Sequence, residues 1–171
     1  MKLDIEAQYD KVYRYCYFKL HNVQAAEDVT QETFLRFLEQ KTYQDRGKPL
    51  AFLYTIARNL CIDEVRRRQR ERAFLEKQTA GKKEERYTNT EQETFSVQVQ
   101  EDFAAGLVDK MSLEQALACL SDKEQEMLLL RYVNEVPMAE LSRFYGMSRF
   151  ALYRKTKELL KRLEGRILDE E

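Results

Sequence analysis

Apolar residues recur at helical spacing from Ile5 onward and again from about Ser112 to the C-terminus, but between about 73 and 111 the pattern stops. No single core runs through a chain whose middle offers no apolar stripe. That stretch includes EKQTAGKKEERYTNTEQETF, which is polar and charged, and it reads as a flexible, acidic linker. Phe95, Val97, Val99, Phe103 and Leu107 would form at most a short element near its end. The predicted fold is all-α: two small helical domains, 1–72 and 112–171, joined by a linker at 73–111. Five Gly and two Pro in 171 residues are too few punctuators for a sandwich or barrel. Charged residues reach 35% against 43% apolar, a balance that suits thin helical domains with a large wet surface.

Within the first block, Ile5, Tyr9, Val12, Tyr13, Cys16, Tyr17 and Leu20 mark one helix, and His21-Asn22 breaks it. A second helix is expected from about Ala25 to Gln40, burying Ala26, Val29, Thr33, Phe34, Phe37 and Leu38. Its opposite face carries Asp28, Gln31, Glu32, Leu35 and Glu39. Lys41 to Pro49 reads as a loop, and a third helix restarts near Leu50 and runs into the arginines at 66–70. The second block divides into pieces at about 113–119, 123–133, 138–145 and 148–166. Ser121 with Glu124 three residues on is a capping-box signature, and Pro137 sits where a first-turn proline is tolerated.

Several function classes fall away. A single His, His21, leaves little for His-based catalysis. The cysteines at 16, 61 and 119 lie at no metal or redox spacing and read as small core residues in a reducing cytoplasm. No carboxylate pair is partnered by a nucleophile or metal set. The expectation is no catalytic residue, no metal and no cofactor, hence no enzyme. No apolar run reaches the length of a membrane span, and MKLDIEAQYDK lacks the apolar stretch of a signal peptide. A cytoplasmic protein without membrane insertion is expected.

A net charge of -1 conceals an uneven layout. Residues 1–72 hold 14 Lys and Arg against 11 Asp and Glu, whereas residues 73–111 hold 5 against 8. From Arg149 to Arg162 there are six basic residues and one acid, Glu158. Nucleic-acid binding follows the local patch, not the sum. In Glu140 to Ser148 a short helix meets Gly146 and then Ser148, which caps a basic helix. A helix-turn-helix has these parts: small Ser142 at the crossing, Gly146 for positive φ, and Leu152 packing back. Its second helix would place N-terminal side chains in the major groove. An ordinary αα-hairpin with a solvated basic face meets the same pattern. Arg58, Arg66, Arg67, Arg68, Arg70 and Arg72 form a second basic element downstream of Phe52 and Tyr54. Arginines neutralise phosphates and aromatics stack bases, or the rings are core and the arginines merely wet. The acidic stripe of Asp28, Gln31 and Glu32, beside Leu35, is otherwise an ordinary solvated face.

These segments together resemble the bacterial extracytoplasmic-function sigma factors, group IV of the sigma-70 family. Ala26 through Arg36 (AEDVTQETFLR) resembles their core-polymerase-binding segment, region 2.2. Phe52 through Arg68 (FLYTIARNLCIDEVRRR) looks like the -10 segment, regions 2.3–2.4. Leu117 through Tyr132, with the helix-turn-helix, resembles region 4. The resemblance covers about 1–72 and 112–166, in the family's order.

The resemblance implies a protein that binds core RNA polymerase and directs promoter-specific initiation and strand opening. Asp28, Gln31, Glu32 and Leu35 would dock on the clamp coiled coil of the β′ subunit. Asn59 would line a pocket for an extruded base of single-stranded -10 DNA, shaped by the preceding loop, with Arg58, Asp63, Arg66, Arg67 and Arg68 alongside. Ser148, Arg149, Phe150, Tyr153, Arg154, Lys157 and Lys161 would read the -35 element as duplex, while the rest of that domain sits on the β-flap. An anti-sigma factor that covers these surfaces is also implied. The chain departs from the family where Phe52 replaces a usual Trp, where Met147-Ser148-Arg149-Phe150-Ala151-Leu152 replaces I-S-x-G-T-V, and at Ser142 and Glu158. A stand-alone helix-turn-helix regulator is the alternative, which does not account for the matched acidic and arginine segments, and a structural adaptor is a third class.

Overall fold

The computed structural model describes residues 3–40, 47–78 and 110–169. Among them the elements are α1 (Ile5–Leu20), α2 (Val23–Glu39), α3 (Pro49–Gln78), α4 (Lys110–Ala118), α5 (Asp122–Leu128) with a π-helical turn (Leu129–Val133), α6 (Met138–Tyr145) and α7 (Arg149–Asp169). The described residues hold no strand, and none of their helices is long and apolar enough to cross a membrane. They fall into two compact units, 3–40 with 53–78 and 47–52 with 110–169. The loop at 41–46, most of the predicted linker and the element near Phe95 to Leu107 lie outside the described residues.

In the first unit, side chains set the helix ends. Asp4 caps α1 by accepting from the Ala7 N–H at 3.2 Å, and Asn22 caps α2 by accepting from Ala25 at 2.8 Å. Between them His21 takes a left-handed conformation (φ 53°) and its N–H closes on the Tyr17 carbonyl, so the His21-Asn22 break is a C-cap followed at once by an N-cap. Val12, Tyr15, Cys16 and Ala26 are fully buried, with Leu53, Tyr54 and Ala57 from α3. Tyr9 stacks on Phe34 at 5.5 Å, and Tyr15 meets Tyr54 edge-on at 5.4 Å. Tyr54 is therefore a core ring and not a base platform. Thr30 and Thr33 are buried because their hydroxyls donate to the Ala26 and Val29 carbonyls within α2.

Three side chains and one boundary differ from the sequence reading. Leu38, expected in the core, is 57% exposed, and Phe37 is only half-buried. Cys16 and Cys61 are buried as expected, but Cys119 is exposed. It follows the last turn of α4, where its thiol donates to the Gln115 carbonyl at 3.4 Å and accepts from Arg166 at 2.8 Å. The boundary is the end of α3, which continues to Gln78, past the point where the apolar stripe stops. Residues 71–78 are all exposed, so the extension follows from helix-favouring Glu, Arg, Ala, Leu, Lys and Gln side chains without core burial.

The second unit is organised around α7, whose Leu152, Thr156, Leu159 and Leu163 are buried at three- and four-residue steps. Leu163 packs with Leu113 and Ala116 of α4, against which Leu117 and Ile167 also rest. The Ser121 capping box forms as the sequence specifies: Glu124 N–H donates to the Ser121 hydroxyl at 3.2 Å, and Ser121 N–H donates to the Glu124 carboxylate at 3.0 Å. Gln125 ties off α4 by donating to the Leu117 and Leu120 carbonyls. After α5 the chain widens into the π turn, and Asn134 N–H bonds Leu129 at 2.8 Å; Met127 through Leu130 are all buried.

Candidate functional site

Three exposed surfaces gather the residues predicted to bind partners. The first lies on α2. Asp28, Gln31 and Leu35 are exposed and Glu32 is half-buried. Gln24 donates to Asp28 at 3.1 Å, and Arg36 pairs with Glu32 at 2.8 Å. Leu38, one turn beyond Leu35, joins it as a second exposed apolar side chain. Two leucines rimmed by carboxylates and amides form a surface suited to a partner. Leu38 was assigned to the core by its periodicity; its i+3 relation to Leu35 is the signal that places it outside.

The second surface lies on α3, where Asn59, Asp63, Arg66 and Arg70 follow one another at steps of four, three and four and all are exposed. The Asn59 amide has no hydrogen-bond partner among the described residues, so it is neither a cap nor a buried structural amide. Below it Asp63, Arg66, Gln69, Arg70 and Ala73 line an open groove of about 510 Å³. Arg70 belongs to this row by spacing, although the -10 set did not include it. Arg58 is half-buried beside Asn59.

The other two arginines of that set are engaged within the unit. Arg67 is held between Glu64, at 2.7 Å, and Glu71. Its hydrogen bonds are the main reason the Glu64 carboxyl lies below its ordinary pKa. Arg68 points to the opposite side of α3. It donates to the Leu20 carbonyl at 3.0 Å and to Glu64 at 3.3 Å, so it ties α3 to the end of α1.

The third surface is the outer face of α7, set by the turn before it. Gly146 ends α6 in the left-handed region (φ 65°), with its N–H on the Ser142 carbonyl, where any Cβ would be strained. The Ser142 hydroxyl donates to the Met147 carbonyl. Ser148 then caps α7 by accepting from the Ala151 N–H at 3.1 Å. Beyond this turn Arg149, Phe150, Tyr153, Arg154, Lys157 and Lys161 are all exposed. The Arg154 guanidinium lies 4.8 Å from the centre of the Phe150 ring, and the Lys157 ammonium 5.4 Å from that of Tyr153. Tyr153, Arg154, Lys157, Glu158, Lys161 and Arg162 line a groove of about 510 Å³. Lys155 and Arg162 instead reach Glu124, at 3.3 and 3.0 Å. With the Ser121 N–H as the first cause, these contacts hold the Glu124 carboxyl down at about 2.

Among the described residues no group of His, Cys, Asp or Glu is placed to hold a metal ion. The surfaces offer charge, amide edges and rings for binding.

Comparison with known proteins shows what the chain is similar to. The Sigma-70 region 2 family matches residues 5–71. The chain is similar to the ECF RNA polymerase sigma factor SigW of Bacillus subtilis, with 32% identity over 133 residues, covering 77% of this chain and 70% of that protein. It is also similar to the ECF RNA polymerase sigma factor BldN of Streptomyces coelicolor, with 33% identity over 161 residues, 90% of this chain and 56% of that one. Among solved structures, the sigma factor RpoE of Bartonella quintana, crystallised with the anti-sigma factor NepR, matches with a TM-score of 0.60. The match spans 95% of this chain and 93% of that chain at 18% identity, and at that identity the likeness is one of fold.

Proposed function

The chain belongs to the extracytoplasmic-function RNA polymerase sigma factors, and on that premise we propose how its surfaces divide the work of initiation. The α2 face, Asp28, Gln31, Glu32, Leu35 and with them Leu38, docks on the β′ clamp coiled coil of core RNA polymerase. Asn59 takes the edge of an extruded base in single-stranded -10 DNA, and Asp63, Arg66 and Arg70 line the path of the strand. Residues 1–72 thus act as region 2. Residues 112–171 act as region 4, which enters the -35 duplex with the outer face of α7 and otherwise sits on the β-flap. Residues 73–111 serve as the tether.

The observation that carries this reading is the exposure of Asn59 on the same face as Arg66 and Arg70. A partnerless amide beside phosphate-binding side chains is equipped to hold one flipped base by its edge. Capture of that base stabilises the melted promoter over the duplex, so opening is driven by binding. The polymerase makes the phosphodiester bonds, and this chain performs no covalent step. It works in the cytoplasm, where polymerase and promoter meet. RpoE was crystallised with an anti-sigma factor, and a partner of that kind would silence this chain by covering the same surfaces.

Run-off transcription and promoter binding with purified core polymerase test the reading. Promoter-specific binding is expected only when polymerase is present; specific binding by the chain alone would favour a stand-alone helix-turn-helix regulator. Reversing charge at Asp28 and Glu32 together should weaken core binding while leaving the thermal melt nearly unchanged, since exposed substitutions usually shift stability by about ±0.5 kcal/mol. Wild-type affinity of that double variant for core polymerase would remove α2 from the interface.

A further inference from the structure

Phe150 is out of place by the rules of folding. It is 68% exposed, more so than any other aromatic residue of the second unit whose exposure is described, and it lies in the first turn of α7. Tyr153, Arg154 and Lys157 share its face. Among the described residues the Arg154 guanidinium covers the ring, 4.8 Å from its centre. A phenylalanine has no donor or acceptor, so it reads no hydrogen-bonding pattern. In the major groove of B-form DNA the apolar group on offer is the C5-methyl of thymine.

We infer that Phe150 is a specificity residue that packs against the thymine 5-methyl group of one -35 base pair, with Arg154 held on its ring to address a guanine close by. This rests on the reading of α7 as the -35 helix. The stack limits the guanidinium to few orientations and leaves its edge donors for the guanine O6 and N7 acceptors. The Lys157–Tyr153 pair, at 5.4 Å, places a point charge farther along the same face, suited to phosphate. The helix thus joins a base-reading aromatic–Arg pair to an anchoring aromatic–Lys pair.

The experiment uses the full chain with core polymerase on a promoter selected by that wild-type holoenzyme from a randomised library. Each -35 thymine is replaced in turn by uracil, which removes the methyl group and keeps every Watson–Crick and groove hydrogen bond. One position should lose roughly three- to fivefold in transcription, the factor expected for one buried methyl. In Phe150→Ala that same substitution should be neutral, and Phe150→Leu should keep the methyl sensitivity while weakening discrimination at the neighbouring guanine. If exchanging whole -35 base pairs has an effect but no uracil substitution does, the methyl contact is refuted and the -35 helix stands. An unchanged uracil penalty in Phe150→Ala refutes it too. If whole base-pair exchanges are also neutral, α7 is not the reading helix, and both inferences fall.

Discussion

Two helices carry the clustered basic residues of this chain, and they dispose of them differently. In α3 the run of arginines is interleaved with acids at three- and four-residue steps. Glu64 and Glu71 bracket Arg67, and Glu64 also reaches Arg68, so half of the 66–68 and 70 cluster is engaged in the helix itself or at the end of α1. Arg66 and Arg70 are left on the Asn59 face. In α7 the basic residues of the outer face meet the aromatic rings Phe150 and Tyr153, while Lys155 and Arg162 pair with Glu124 and Arg162 also lies 3.9 Å from Glu158. Carboxylates neutralise a cation, whereas rings orient it and leave its charge available. A count of arginines therefore overstates the available charge of both helices, since Arg67 and Arg68 of α3 and Arg162 and Arg166 of α7 are all engaged.

The largest effect should come from the residue that makes the α3 face more than a patch of charge. Asn59→Ala is expected to reduce opening at the preferred -10 sequence by roughly ten- to hundredfold, the range for losing a well-placed pair of base-edge hydrogen bonds. Because Asn59 is exposed, the melt and core binding should stay near wild type. The penalty for changing that base should shrink, and a pre-melted bubble template should recover part of the activity, since unstacking has been completed in advance. Unchanged -10 discrimination in a folded Asn59→Ala protein would remove the pocket role and leave the α3 face as a patch of charge alone.

A smaller effect separates arginines that are neighbours in sequence. Arg68→Ala removes the charged donor from the Leu20 carbonyl and should lower the stability of the first unit by about 1.5–3 kcal/mol. Arg66→Ala should leave the melt within about ±0.5 kcal/mol and instead reduce the salt dependence of promoter binding by about one unit. Denaturant titration and binding across a salt series measure both. The reverse pattern, with Arg66 stabilising and Arg68 salt-sensitive, would invert the assignment of the two faces.

How much of this was legible beforehand depended on the reach of each interaction. Helical periodicity, the Ser121 capping box and the Gly146 turn are settled within a few residues of chain, and each is read directly from the sequence. Leu38 is less direct: its four-residue step from Phe34 suits the core and its three-residue step from Leu35 the outer face, and its exposure beside Leu35 shows that the second applies. The use of Arg68 depends on a carbonyl 48 residues away, which no local pattern announces. Cys119 was misplaced because an apolar-leaning residue at a helix end has no helical period to follow. The extension of α3 to Gln78 escaped because helix propensity sustains it without an apolar stripe. The candidate site followed the same division, with its residue types evident in sequence and their availability set by tertiary neighbours.

The smallest expected effect concerns the flank where α7 does use an acid. Glu124 accepts from the Ser121 N–H and pairs with Lys155 and Arg162, and its carboxyl is held at about 2 against an ordinary 4.5. A carboxyl with a lowered folded-state pKa stabilises the protein fully above the unfolded value. That contribution fades as pH falls from about 4.5 toward 2, because the unfolded state takes up its proton first. Glutamine at this position still accepts from Ser121 and completes a capping box, so Glu124→Gln isolates the charge from the cap. Near neutral pH the variant should be less stable by under about 1 kcal/mol, the usual worth of solvent-screened pairs. That gap should close as the pH is lowered through the same window, as followed by melts of both proteins at stepped pH. A gap that stays constant from pH 7 to 2 would mean that the Glu124 charge does not help hold α7 to α5. The basic residues on that flank would then be as available to DNA as those beside Phe150 and Tyr153.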